Sequence, residues 1–173
     1  MMIILHILSV PLALFYANFI EWFAHRFVLH RLGRNKKSYW AFHWHRHHKL
    51  ARKHKGLDPS YRTPLKGHVL KEKIMLFLLI LTHSPLFTMV PLFYLALVYC
   101  TWNYYNVHRR SHLSIEWAKK NVPWHYEHHM GKDQEKNWCV TRDWCDRLFG
   151  TRVEYLNEGK NNETYKIKFK KHD

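Results

Sequence analysis

Residues 74–108 read IMLFLLILTHSPLFTMVPLFYLALVYCTWNYYNVH, 35 residues without a lysine, arginine, aspartate or glutamate. A helix rising about 1.5 Å per residue needs roughly 20 apolar residues to cross a hydrocarbon core about 30 Å thick. The block is therefore too long for one crossing and slightly short for two. His83-Ser84-Pro85 falls inside it, and a proline biases the residue before it away from helix, which predicts a tight hairpin between two short spans.

Working outward, residues 1–25 contain no lysine or arginine and one acid, Glu21, and predict a further span. A cleaved signal peptide is the competing reading, but its positive leading region is absent. All 28 lysines and arginines, against 13 acids in a chain of 173 residues with net charge +15, lie in residues 26–73 and 109–171. Three crossings place both basic stretches on one side, and the excess of positive charge assigns that side to the cytoplasm. A soluble helical protein is the alternative, but a chain of this length could hardly bury two long all-round apolar stretches.

The expected architecture is all-α: one domain, an integral-membrane helical bundle of three to four embedded helices under a cytoplasmic helical cap. Its parts are a first span (1–24), a histidine-rich cytoplasmic stretch and linker (25–69), a helical hairpin (70–107), a second histidine-rich stretch (108–151) and a basic tail (152–173). The sequon Asn162-Glu163-Thr164 would go unused on that side. Cys100, Cys139 and Cys145 are an odd number without a C-x-x-C pair, which argues against disulfides and predicts reduced thiols.

Sixteen histidines are several times an average share, and most follow directly on an apolar block. His25 and His30 form H-x4-H. His43, His45, His47 and His48 crowd one short stretch, His108 and His112 form H-x3-H, and His125, His128 and His129 form H-x2-H-H. Positions three and four apart share a helical face, so such spacings aim neutral imidazoles at one spot, which is ligand geometry for a transition metal. A solvated cationic surface beside anionic lipid explains the charge but requires no helical register. About ten imidazoles exceed the three or four that one zinc takes, so two metal ions are expected. The Glu-x-x-His pairs of carboxylate-bridged di-iron bundles are absent, and at 100° per residue periodicity does not choose between His43 and His45. The candidate ligands are thus His25, His30, His43, His45, His47, His48, His108, His112, His125, His128 and His129. Of the other histidines, His6, His54, His68 and His172 read as terminal or linker residues, and His83 as an interfacial one.

The order H-x4-H, a paired-histidine box, H-x3-H and H-x2-H-H resembles the fatty acid hydroxylase and sterol desaturase superfamily. So does the segment from Asn137-Trp138-Cys139 to Asp146-Arg147-Leu148-Phe149-Gly150-Thr151. Two departures stand out: Trp44 occupies the place of the family's usual histidine three before His47, and Trp144-Cys145-Asp146 replaces its leucine-tryptophan-aspartate.

The resemblance implies a membrane oxidoreductase that hydroxylates an aliphatic C–H bond of a fatty acyl or sterol-like lipid, with two irons (zinc can substitute) and O2 as co-substrate. Chemistry lies at the metals, so no separate catalytic residue is assigned. Desaturation and carotenoid hydroxylation are variants of the same site, and a zinc-dependent membrane hydrolase is the rival enzyme. A basic lipid- or nucleic-acid-binding module is the rival non-enzyme, but no nucleic acid partner is expected.

No cytochrome-like domain, dinucleotide fingerprint or iron–sulfur cysteine cluster is visible. Electrons are expected from a separate cytochrome b5-like or ferredoxin-like protein, at the cytoplasmic face of a bacterial inner membrane or endoplasmic reticulum. Residues 57–61 and 49–55 are expected to form a cytoplasmic loop that gates substrate or docks that donor. Glu127, Asn137, Asp143 and Asp146 are candidate acceptors for the ligands' second N–H. Trp40, Trp44, Trp124, Trp138 and Trp144 are candidates for an aromatic wall or for interfacial anchors.

Overall fold

The computed structural model describes residues 2–156, with side chains from Leu8 onward. The tail from Asn157, with its sequon, and the side chain of His6 lie outside the described residues. The described chain is all-α, without strands. Helix α1 (Met2–Phe23) runs directly into a π-helix, Ala24–Leu32. A second π-helix, His43–His48, leads into α2 (Lys49–Lys53), and a single 3-10 turn, Pro59–Arg62, follows. Then come α3 (Gly67–Thr82), the short α4 (Leu86–Met89) and α5 (Pro91–Ser111). Helices α6 (Ile115–Asn121), α7 (Pro123–Met130) and α8 (Trp144–Leu148) complete the order.

Proline opens both α5 and α7, where a missing N–H costs nothing and its φ is already helical. Ser114 caps α6 by accepting from Trp117 N. Helix α1 packs along α5, α3 joins α5 through the α4 turn, and α8 folds back on α1. The turn falls at His83–Pro85, where the proline predicts it.

Three crossings are not what the helices provide. Among the described residues no helix is long and apolar enough to cross a membrane. Helix α3 has 16 residues, roughly 24 Å against the 30 Å a core requires. From Asn103 onward α5 carries Asn, His and Arg, and the described part of α1 includes Asn18 and Glu21. Each long helix turns polar at its inner end because that end serves a buried site.

The interior is correspondingly polar. The described residues bury 22 polar or charged side chains against 15 hydrophobic ones, and eleven of the 22 are histidines. Leu12, Phe77, Leu81, Phe87, Leu95 and Trp102 stand among many large apolar side chains left exposed. This inverts the usual partition, so the fold organises itself around polar groups that need one another.

Candidate dinuclear metal centre

Two groups of imidazoles meet inside the cap. His25, His30, His43, His48 and His128 form the first, and His47, His108, His112 and His129 the second; within each group one ligand atom per residue lies within 4.8 Å of all the others. The H-H pairs divide between them, with His48 and His128 in the first and His47 and His129 in the second. Neighbours in a helix point about 100° apart, so one dipeptide supplies both groups.

The π-helical winding explains spacings that an α-helix would waste. His25 and His30 are five apart, as are His43 and His48, and on an α-helix five residues leave side chains about 140° apart. The i→i+5 bonds of a π-helix lay such residues over one another, and His43 Nε2 lies 3.1 Å from His48 Nε2. The wheel of 100° per residue therefore did not apply to this segment. His43 lies in the first group, whereas His45 turns away, its ring nitrogen 2.8 Å from the Arg34 carbonyl. His125 sits at the edge of the second group, its Nε2 3.1 Å from His112 Nε2.

Tautomers follow from the Nδ1 partners. His25 Nδ1–H donates to the Trp138 carbonyl (2.6 Å), His128 Nδ1–H to the Lys136 carbonyl (2.7 Å) and His112 Nδ1–H to the Gly56 carbonyl (2.9 Å). Asp58 accepts from His47 Nδ1 (2.9 Å) and Glu72 from His108 Nδ1 (2.6 Å). A carbonyl or carboxylate only accepts, so in each ring the proton is on Nδ1 and Nε2 is a bare lone pair.

Those lone pairs face one another. His25 Nε2 is 2.9 Å from His43 Nε2, and His128 Nε2 is 3.2 Å from His30 Nε2. The Nε2 atoms of His47, His108 and His129 are buried without any partner. Converging unpaired lone pairs are costly unless a cation lies between them. Metal–nitrogen bonds of about 2.1 Å put neighbouring ligand atoms roughly 3.0–3.4 Å apart, so the donor set fits two transition-metal ions.

Burial and mutual repulsion keep the rings neutral. Burial first, then neighbouring histidines, lower His47 and His128 to about 4, the lowering being partly offset by their hydrogen bonds to Asp58 and the Lys136 carbonyl. The same causes hold His25, His43, His48, His112, His125 and His129 well below the ordinary value. Burial raises the Asp58 carboxyl, but hydrogen bonds from His47 and His68 outweigh that and hold it below the usual range.

Four functional residues escaped the sequence reading. Within the stretch expected to gate or dock, Lys49, Arg52, Lys53 and Lys55 are exposed, whereas Asp58 at 0% exposure and Tyr61 at 1% are buried. Asp58 caps Ser60 N with one oxygen and with the other accepts from His47 and His68, the latter at 2.7 Å. Tyr61 donates to Glu72 (2.6 Å) and stacks on His112. His68, read as a linker residue, is buried and makes a third potential ligand group with His47 and Asp58. The available signal was His68-x3-Glu72, one face of α3.

The acceptors expected from sequence serve elsewhere. Glu127 pairs with Arg152 (2.7 Å), Asp143 with Arg147 (2.8 Å), and Asn137 holds Val153. Asp146 accepts from Trp138 N (2.9 Å), Cys139 N (2.8 Å) and Thr151 Oγ1 (2.7 Å). It thereby shapes the loop whose carbonyls hold His25 and His128. Trp138 packs against His25, His30 and His128, and Trp44 against His30 and His48, whereas Trp144 is exposed. Trp124 donates to the Val140 carbonyl, and all three cysteines are free thiols.

An apolar cavity of about 330 Å³ lies between α1, α3 and α5, and His25 is in its wall. The described chain is thus an all-α fold with buried histidine clusters that could hold metal ions, beside an apolar cavity. The fatty acid hydroxylase family model matches residues 10–151, and the chain belongs to that family. No curated protein and no solved structure matches it.

Proposed function

We propose that this protein is a lipid hydroxylase acting at a histidine-held di-iron centre, on a fatty acyl or sterol-like lipid. The observation that carries the reading is the apolar cavity opening onto His25, one of the five convergent histidines. When bound, the irons supply the oxidising power that no side chain has for an unactivated C–H bond. One atom of O2 enters the C–H bond and the other leaves as water, with two protons and two electrons from an external donor.

The chain's own residues bind, orient and exclude water. Its imidazoles donate lone pairs, and Asp58, Glu72 and Glu135 face His47, His108 and His30, placing negative charge behind a neutral ligand set. Trp138, 1% exposed, closes one side of the first group against water. Glu21 lines the cavity, and its oxygens accept from Val140 N, Thr141 N and Thr141 Oγ1, so it anchors the loop.

The exposed apolar faces of α1, α3, α4 and α5 support a seat within a membrane, with the basic, histidine-bearing end at the cytoplasmic surface. That basic face suits an acidic electron-donor protein. Lipid mass spectrometry of cells expressing the chain, against a His128→Ala, His129→Ala double variant, tests the function. A lipid heavier by one oxygen, absent in the variant, is expected. Loss of two hydrogens instead would indicate desaturation, and identical profiles would overturn the proposal.

A further inference from the structure

The cavity has a metal end and a far end. His25, Leu29 and Tyr104 line the first, and Ala17, Thr82 and Leu97 the second. From Ala17 to His25 along α1 is roughly 12 Å. One residue past Ala17 comes Tyr16, one past Thr82 comes His83, and one helical turn before Leu97 comes Phe93. These three meet. Tyr16 O–H and His83 Nε2 are 2.9 Å apart, and the rings of Tyr16 and Phe93 are centred 5.6 Å apart. His83 Nδ1–H donates to the Leu79 carbonyl (2.8 Å), so Nε2 is the lone pair that accepts from Tyr16.

A hydrogen-bonded tyrosine–histidine pair joining two apolar helices gives each polar group a partner there. His83 was unexplained by the boxes, and the metal centre does not use it.

Resting on the acyl reading above, we infer that Tyr16, His83 and Phe93, which lie just beyond the lining residues Ala17, Thr82 and Leu97, back the far end of the substrate cavity as its floor and set the length of acyl chain it accepts. At roughly 30 Å³ per water-sized group, the cavity takes about ten methylenes. An acyl chain can enter that far with its methyl end on Tyr16, while the rigid four-ring nucleus of a sterol, which has more carbons than that and cannot thread in as a chain does, exceeds it.

Two variants push in opposite directions. Tyr16→Ala removes the ring and should lengthen the preferred chain by about three or four carbons, whereas Ala17→Leu fills the far end and should shorten it by about two or three. Tyr16→Phe keeps the ring but frees His83, and should broaden the profile without moving it far. The readout is the chain-length distribution of oxidised lipids in expressing cells. A second, activity-free readout is photocrosslinking of the full-length protein in membranes with fatty acids bearing a terminal diazirine, mapped by peptide mass spectrometry.

Shifted distributions and crosslinks at Tyr16, His83 or Phe93 are expected. Oxidised lipid with an unchanged distribution in both size variants, and crosslinks elsewhere, would overturn the floor alone. Crosslinks at the three residues without any oxidised lipid would overturn the hydroxylase reading and leave the floor standing. Neither signal in the unaltered protein would overturn both.

Discussion

The two histidine groups share their architecture and differ in what stands behind them. In the first, the loop 134–138 does the holding. The Trp138 and Lys136 carbonyls accept from His25 and His128, the Gln134 amide meets His48 Nδ1, and only a half-exposed carboxylate, Glu135, faces His30 at 3.2 Å. In the second, buried carboxylates on α3 and the preceding turn do it, Asp58 for His47 and Glu72 for His108, with the Gly56 carbonyl behind His112. A carboxylate behind an imidazole raises its basicity more than a carbonyl does. The lesson is that metals held by the two groups would sit in unequal fields, the second group offering the more electron-rich ligands and the first lying beside the cavity.

The sharpest way to break this comparison is to remove one ligand from each group. His48→Ala and His47→Ala should each cost one of two metal equivalents, read by elemental analysis, and reduce the oxidised lipid below detection. Retention of both equivalents in either variant would dissolve the grouping.

Asp58→Asn and Glu72→Gln sharpen it. Each should weaken metal binding by about 10- to 100-fold at one equivalent only, leaving the other at its original affinity in a chelator titration. Equal weakening of both would show that the carboxylates do not belong to one group.

Gly56→Ala acts on the backbone of the second group. Gly56 has φ +105°, and a Cβ there would lie 2.7 Å from Ile115 Cδ1 and 3.0 Å from the Tyr126 ring. A loss of about 1–3 kcal/mol is expected in thermal unfolding, along with weaker metal binding at the equivalent that Asp58→Asn affects.

Asp146→Asn, its counterpart for the first group, removes one of the acceptors that shape the 136–139 backbone. It should cost about 1–2 kcal/mol and loosen the other equivalent. Glu135→Gln, at 43% side-chain exposure, is the smallest, with metal affinity expected to change by no more than about twofold. A large effect there would place the first group's electrostatics on that carboxylate instead of the loop.

Much of the site was legible because chemistry restricts it. Imidazoles concentrated next to apolar blocks have few uses, and of the eleven candidates singled out by their spacing, ten lie in or beside the two groups. His45 was inseparable from His43 only because the segment was read as an α-helix, while its backbone is π-wound. Asp58, Tyr61, His68 and Glu72 were not legible as partners because their roles depend on a loop and a helix from distant sequence closing over the histidines. No described helix meets the length and apolarity that the expected three crossings require, for a related reason. Apolar composition measures how greasy a block is, but not how many of its turns the fold spends on a polar site.

By itself, the sequence determined that the chain is helical and that its histidines are clustered at spacings suited to hold metal ions and numerous enough for two, since residue type and local spacing suffice for each. Only the tertiary structure decided which histidine joins which group, which ring nitrogen carries the proton and where the cavity stops. Those properties arise between residues far apart in sequence, such as His25 and Trp138, 113 positions apart, and no local periodicity encodes them.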